Sequence, residues 1–397
     1  MTIRFIGVLL LALGTFHPNR AQALGFRIPN QDAEAIARGN AFAATADNPS
    51  AIYYNPAGIT QLEGANAQFG VHALSINSFY ESPSGSSSRT RFGVAPVPEF
   101  YYTYSPKNQP IAFGLGIFAP YGLAVKWPED TGFRTKAIDG SLTYVTINPV
   151  VAWRVCDHLS VAAGPTFNYS QVSLRQGIVT PGDEFRFKGD GTAFGFTCGV
   201  LWQPLEKWSF GAKYHSSTSV NYEGSAHTVG TGFGVPTATT DSSGKLPFAQ
   251  FASGGVSYRP NTNWNIEADI DWTDWGSLDT VTFNNTPLGN VPFPLNWKTS
   301  YLLELGATRY LDNGYFVSAG YFFSQNSTTE RDFNPVVPDT DLHVGSVGFG
   351  HKGLRWGWTV AAQIITGPER TINNGTVASG EYHWLNGSLD FSVRYHF

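Results

Sequence analysis

Apolar and polar residues alternate with a period of two through most of this chain, the pattern of a sheet whose two faces meet different surroundings. In Trp264–Trp272, Trp264, Ile266, Ala268, Ile270 and Trp272 share one face, and Asn265, Glu267, Asp269 and Asp271 share the other. The pattern returns in Trp208–His215, in Trp356–Ile364, and in Leu389–Phe397, where Leu389, Phe391, Val393, Tyr395 and Phe397 face one way. Read along the chain, it predicts fourteen strands, near residues 65–78, 90–104, 110–126, 140–154, 158–175, 190–203, 207–223, 246–259, 263–275, 297–311, 314–326, 341–351, 355–366 and 386–397. The connections are alternately short and long. Cys156-Asp157-His158, the Pro260 turn and Asp312-Asn313-Gly314 are tight. Residues 224–245, 276–296 and 367–385 form long connections rich in Gly, Ser, Thr, Asn and Pro. An even number of strands with short turns at one end and long loops at the other is the sequence signature of an all-β transmembrane antiparallel barrel. Closure is required, because an open sheet edge in lipid would leave backbone groups unsatisfied.

Composition narrows the choice. Only 14% of the 397 residues are charged, 15% are aromatic, and there are 43 glycines. The charged share is far below the roughly 25% of soluble domains, and so many aromatic residues exclude a solvated, disordered chain. A net charge of −5 gives no footprint for nucleic acid. Two cysteines and one methionine suggest neither a disulfide scaffold nor a zinc site, and no cofactor motif is visible. Cys156 reads as a turn residue and Cys198 as a wall residue.

The N-terminus reads as a signal peptide over residues 1–23, with Arg4, an apolar run from Phe5 to Phe16, and Ala21-Gln22-Ala23 as the cleavage site. Its apolar part is too short for a permanent membrane helix. Export and barrel together point to the cell outer membrane. Residues 65–397 form the barrel domain. Residues 24–64 do not alternate: Gln31–Ala46 is alanine-rich and predicts a helix, and Asp47–Ser50 and Tyr53–Gly58 carry turn chemistry. A barrel of this size has a lumen wider than its own side chains fill. Phe42, Ile52, Tyr53 and Tyr54 need burial. The segment is therefore expected to plug the lumen as a hatch, rather than hang below it as a tail.

Leu24-Gly25-Phe26, Gly39-Asn40-Ala41 and Asp47-Asn48-Pro49-Ser50-Ala51-Ile52-Tyr53-Tyr54-Asn55-Pro56-Ala57-Gly58 resemble the hatch of the FadL/TodX (OmpP1-like) family of outer-membrane transporters of long-chain fatty acids and hydrophobic aromatics. Pro120-Tyr121-Gly122-Leu123, Asn148-Pro149, Gly254–Pro260, Thr273-Asp274-Trp275, Asn296-Trp297-Lys298 and Pro338-Asp339-Thr340-Asp341 extend the resemblance over the mature chain. It implies a fourteen-stranded barrel and passive, ligand-gated uptake past a hatch and out through a lateral opening in the wall. Asn55, Pro56 and Ala57 then form the hatch motif. Leu24, Gly25 and Phe26 form an N-terminal gate that moves when ligand binds. Proline and glycine interrupt ladders, so Pro120 and Gly122 are expected at the kink of a lateral opening. Arg175 matches the region where fatty-acid members carry a pocket arginine, and Phe397 matches the C-terminal sorting signal read by the barrel-assembly machinery.

Long-chain fatty acids are the leading substrate reading. Residues 290–295 are apolar where those members carry a second basic residue, which keeps aromatic hydrocarbons such as toluene and xylene open. The expected surroundings are outer-membrane lipid and lipopolysaccharide, and a plugged barrel works as a monomer. Two other classes compete. A lipase-type enzyme would need a nucleophile, but no G-x-S-x-G and no H-E-x-x-H is present. A general porin would need an open lumen.

Overall fold

The computed structural model describes residues 25–232 and 234–397, so the expected signal peptide (1–23) and Leu24 lie outside the described residues. Among the described residues, fourteen antiparallel wall strands close on themselves. They are β1 (Gly64–Ile76), β2 (Gly93–Ser105), β3 (Ile111–Lys126), β4 (Asp139–Cys156), β5 (Leu159–Gln176) and β6 (Glu184–Leu205). Next come β7 (Trp208–His215, continuing as Thr218–Val229), β8 (Ala238–Phe248 and Phe251–Asn261), β9 (Trp264–Thr273, then Thr280–Thr286) and β10 (Gly289–Pro294, then Ser300–Tyr310). The last four are β11 (Tyr315–Ser324), β12 (Leu342–Lys352), β13 (Trp356–Thr366) and β14 (Gly380–His396). β1 pairs with β2 on one side and with β14 on the other, from Asn66↔His396 to Leu74↔Ser388, which closes the barrel.

The alternation now has a physical meaning. On β9, Trp264, Ile266 and Ile270 are exposed outward, and Asn265, Glu267, Asp269 and Asp271 are buried inward. A large apolar outer face is what lipid demands. Exposed Trp153, Trp202, Trp208, Trp264, Tyr315, Trp356 and Phe397 sit near the short-turn ends, as in an interfacial aromatic girdle.

Two expectations are corrected. The long connections 224–245 and 276–296 are largely strand, because β7 to β10 run on at the long-loop end as paired extensions. There the outer face no longer meets lipid, so the alternation fades. The helix expected over Gln31–Ala46 is only α1 (Ala33–Ala37), since Gly39 and Asn40 adopt φ of 65° and 62° and end it. A four-residue α2 (Ala51–Tyr54) and a 3₁₀ turn (Pro56–Gln61) complete the segment before β1. Residues 26–60 are almost entirely buried within the barrel.

One strand pair is incomplete. β2 and β3 pair only from Tyr104↔Phe113 to Phe100↔Ile117. The chain just ahead of β2 meets the end of β3 where the Arg91 amide donates to the Lys126 carbonyl at 2.8 Å. Between these points lies a gap bounded by residues 92–99 and 118–125, on the order of 25 Å along the strand at 3.3 Å per residue. On its other side, β3 bulges against β4: Phe118 pairs with Thr146 and Tyr121 with Tyr144, so Ala119 and Pro120 face Val145 alone. Pro96 and Pro98, two apart on β2, lack donors on the same edge. β2 still pairs with β1 without interruption over 93–105, so that donor-poor edge is the one facing the gap.

Candidate functional site

The hatch is fastened to the wall by charge. Residues 42–45 present consecutive backbone amides to β9. Asp269 Oδ2 accepts from Phe42 (2.9 Å) and Ala43 (2.8 Å), and Glu267 Oε1 accepts from Ala44 (2.7 Å) and Thr45 (3.2 Å). Glu267 also pairs with the buried Arg38 guanidinium at 3.2 Å. Next along the strand, Asp271 takes a two-pronged bond from Arg27, whose guanidinium also lies 3.8 Å over the Phe251 ring. Carboxylates that accept backbone N–H groups and face arginines make strong, charge-assisted contacts. The wall gives way where the hatch approaches: a Cβ on Gly211 would collide with the Ala43 carbonyl, and one on Gly320 with the Arg38–Gly39 backbone.

The hatch also completes the broken wall. The Ile28 amide donates to the Pro120 carbonyl and the Gly122 amide to the Phe26 carbonyl, both at 2.8 Å. The Gln31 side-chain amide donates to the Ala119 carbonyl at 2.8 Å and accepts from the Ala119 amide at 3.2 Å. β3 loses its β2 partner from residue 118 on, and residues 26–31 supply substitutes from inside. An edge at membrane depth cannot leave these groups bare.

Above this contact, toward the long loops, lies a narrow apolar cavity. Phe26 lines it together with Leu123, Leu142, Leu174, Leu246 and Phe283, and the surface presented to it is wholly apolar. Its volume is about 60 Å³, several times the roughly 10–15 Å³ a single water needs. Leu123 is adjacent to Gly122 on β3, so the cavity abuts the strand that borders the gap. The Phe26 ring is held by Trp297 (centroids 4.7 Å) and Trp275 (6.1 Å), and the Gly25 amide donates to Asp339 Oδ2 at 3.3 Å. Burial pushes the Asp339 carboxyl up to about 7, while the Ser327 amide and Arg370 pull the other way. Three motifs far apart in sequence, at 273–275, 296–298 and 338–341, thus meet around residues 25–27.

Apart from Leu24, which lies outside the described residues, each predicted residue has a place. Asn55 donates to the carbonyls of Ala43 (2.8 Å) and wall residue Val200 (2.9 Å), and its Oδ1 caps the 3₁₀ turn by accepting from Ala57 at 3.2 Å. Pro56 opens that turn, and Ala57 is buried in it. Pro120 lies in the bulge, and Gly122 lies beside Ile28, whose Cδ1 would sit 2.8 Å from an added Cβ. Arg175, one residue beyond Leu174 of the lining, points at Asp139 (2.7 Å), Glu129 (2.9 Å) and Glu184 (3.1 Å). Phe397 is exposed at the end of β14, with its ring 4.8 Å from that of Tyr395 and its amide bonded to the Ala65 carbonyl. The sequence reading missed Arg27, Gln31, Glu267, Asp269 and the Pro96/Pro98 edge. Only the run of inward carboxylates at 267, 269 and 271, and the paired prolines, could have hinted at them.

A family model described as "Outer membrane protein transport protein (OMPP1/FadL/TodX)" matches residues 14–359. The chain is 21% identical over 379 residues to the long-chain fatty acid transport protein of Escherichia coli K12, covering 83% of this chain and 84% of that protein. It is 24% identical over 390 residues to outer membrane protein P1 of Haemophilus influenzae, covering 84% and 83%. Among solved structures, a Pseudomonas aeruginosa FadL homologue superposes with a TM-score of 0.83 at 19% identity, over 94% of this chain and 99% of that one. The Pseudomonas putida toluene transporter TodX superposes at 0.77 and 17% identity, over 94% and 99%. At these identities the superpositions speak for the barrel fold.

Proposed function

Because the chain belongs to the OMPP1/FadL/TodX family of outer membrane transport proteins, we propose that it takes hydrophobic small molecules across the outer membrane by passive diffusion, inward from the long-loop end and sideways out of the wall. Lipopolysaccharide obstructs apolar solutes, and a water-filled pore offers them no favourable surface. An apolar cavity next to a wall gap provides one. The supporting observation is the adjacency of cavity and gap: Phe26 lines the cavity, and its carbonyl replaces the missing strand partner at Gly122.

In this reading the hatch core stays seated on Glu267 and Asp269. Leu24, Gly25 and Phe26 act as the gate: a solute filling the cavity displaces Phe26, loosens its bonds to β3 and clears the gap. A ligand that prefers the displaced state shifts the equilibrium toward it. Relatives transport long-chain fatty acids and fold-mates include a toluene transporter, so both solute types are substrates to test. The channel works as a monomer, and Phe397 ends the strand that the assembly machinery reads. The proposed role is transport, without a catalytic step.

The test is uptake of labelled oleate and toluene by cells lacking their own channel, with the wild-type chain, with Leu246→Trp, and with vector alone. Wild-type uptake above vector, lost when the tryptophan fills the cavity, supports the reading. Equal uptake in all three refutes it.

A further inference from the structure

We infer that the cavity admits its solute only in the uncharged form, so that this channel discriminates on head-group charge. The inference rests on the channel reading above. Polar groups around the cavity are few. Ser141 and Ser173 present no polar surface to it, and the Tyr222 hydroxyl is already bonded to Ser170 at 2.6 Å. Among the described residues that line it, none is a lysine, arginine or histidine. Arg175 is next to lining residue Leu174, yet its guanidinium is engaged by the carboxylates of Asp139, Glu129 and Glu184. A solute carboxylate arriving there would compete with three acids for one cation.

Among the described residues, five other interior cations are engaged as well. Arg27 and Arg38 pair with Asp271 and Glu267. Lys213 donates to the Tyr53 carbonyl at 2.6 Å, and Lys352 pairs with Glu34 and Asp47. Arg370 bonds Thr328 and the Asp339 carbonyl. Lys298 is exposed and outside the lining, beside Asp339, Asp341 and Arg370. An unpaired carboxylate in an apolar site is so unfavourable that the group takes up a proton instead. The cavity therefore accepts hydrocarbons, alcohols and protonated acids, and excludes acid anions. Arg175 acts as a clasp for the loops around 129 and 184 rather than as a solute partner.

The test compares two ligands with the same hydrocarbon chain and different heads. The purified mature chain, immobilised in neutral detergent, is equilibrated with tritiated oleyl alcohol or oleate at about pH 8, against a protein-free support. The inference predicts that the alcohol binds at least about tenfold tighter than the anion, a gap of roughly 1.4 kcal/mol. Oleate binding should rise as the pH is lowered. Leu246→Arg, which puts a guanidinium that stays charged into the lining, should reverse the preference, and Arg175→Gln should leave the ratio of the two affinities as it is. Equal wild-type binding of the two ligands, or selective loss of oleate in Arg175→Gln, would overturn the inference and leave the channel reading standing. Binding of neither ligand would overturn the channel reading itself.

Discussion

Glu267→Ala strikes the seat of the hatch. Glu267 accepts from the Ala44 and Thr45 amides and from the Thr45 hydroxyl, and it pairs with a fully buried Arg38. Removing it leaves Arg38 with a single 3.3 Å bond, to Asn265. Breaking one side of a buried ion pair costs about 3–5 kcal/mol. Each orphaned buried amide adds about 1–3 kcal/mol. The contributions share atoms and do not add in full, so about 5 kcal/mol of hatch docking is a fair expectation. The barrel is untouched, because Glu267 points inward and the β8–β9–β10 ladders are made by backbone. The variant should keep the mobility of a folded barrel on gels. It should also expose residues 38–47 to protease and show larger, noisier ion conductance in planar bilayers. Wild-type conductance with full protease protection in the variant would refute the claim that wall carboxylates hold the hatch.

Gly211→Val tests the same seat sterically: the Cβ meets the Ala43 carbonyl, so conductance should rise as it does for Glu267→Ala. A silent variant would mean that the hatch tolerates displacement. Asp339, pushed up to about 7 from an ordinary value near 4, binds its proton more tightly when folded than when unfolded. Its contribution is full below about pH 4 and is lost as pH rises toward 7, about 4 kcal/mol at most. Thermal midpoints measured from pH 4 to 8 should show that decline, and Asp339→Asn should flatten it; an unchanged slope would contradict the assignment. Glu99 is buried with its Oε2 lacking any hydrogen-bond partner. Relieving an unsatisfied group is worth about 1–3 kcal/mol, so Glu99→Met should raise the thermal midpoint, and a fall would show that the acid has a role in the folded wall.

The barrel was legible because lipid imposes a simple rule. Every membrane-crossing strand must turn apolar residues outward, and Trp264–Trp272 or Leu389–Phe397 obeys it residue by residue. The rule lapses beyond the membrane, which is why the paired extensions at 224–245 and 276–296 read as loops. It is silent inside the lumen, where contacts join residues more than two hundred positions apart, as Arg27 and Thr45 join β9. Local propensity misled as well. Alanine-rich 31–46 favours helix, but Gly39 and Asn40 stop it, and the freed amides of 42–45 donate to wall carboxylates instead of helical carbonyls. Pro120 was visible as a ladder breaker. The reciprocal device, a Gln31 side chain standing in for a strand, has no local signature.

The proposed sideways exit of solute through the wall is tested by deleting Pro120. Ala119 would then face Val145 one to one, removing the bulge and letting β3 run straight beside β2. Measured in cells lacking their own channel, uptake of a labelled hydrophobic solute should fall to the vector level while the variant remains folded in the outer membrane. Undiminished uptake through a straightened β3 would contradict the account and send the solute past the hatch instead.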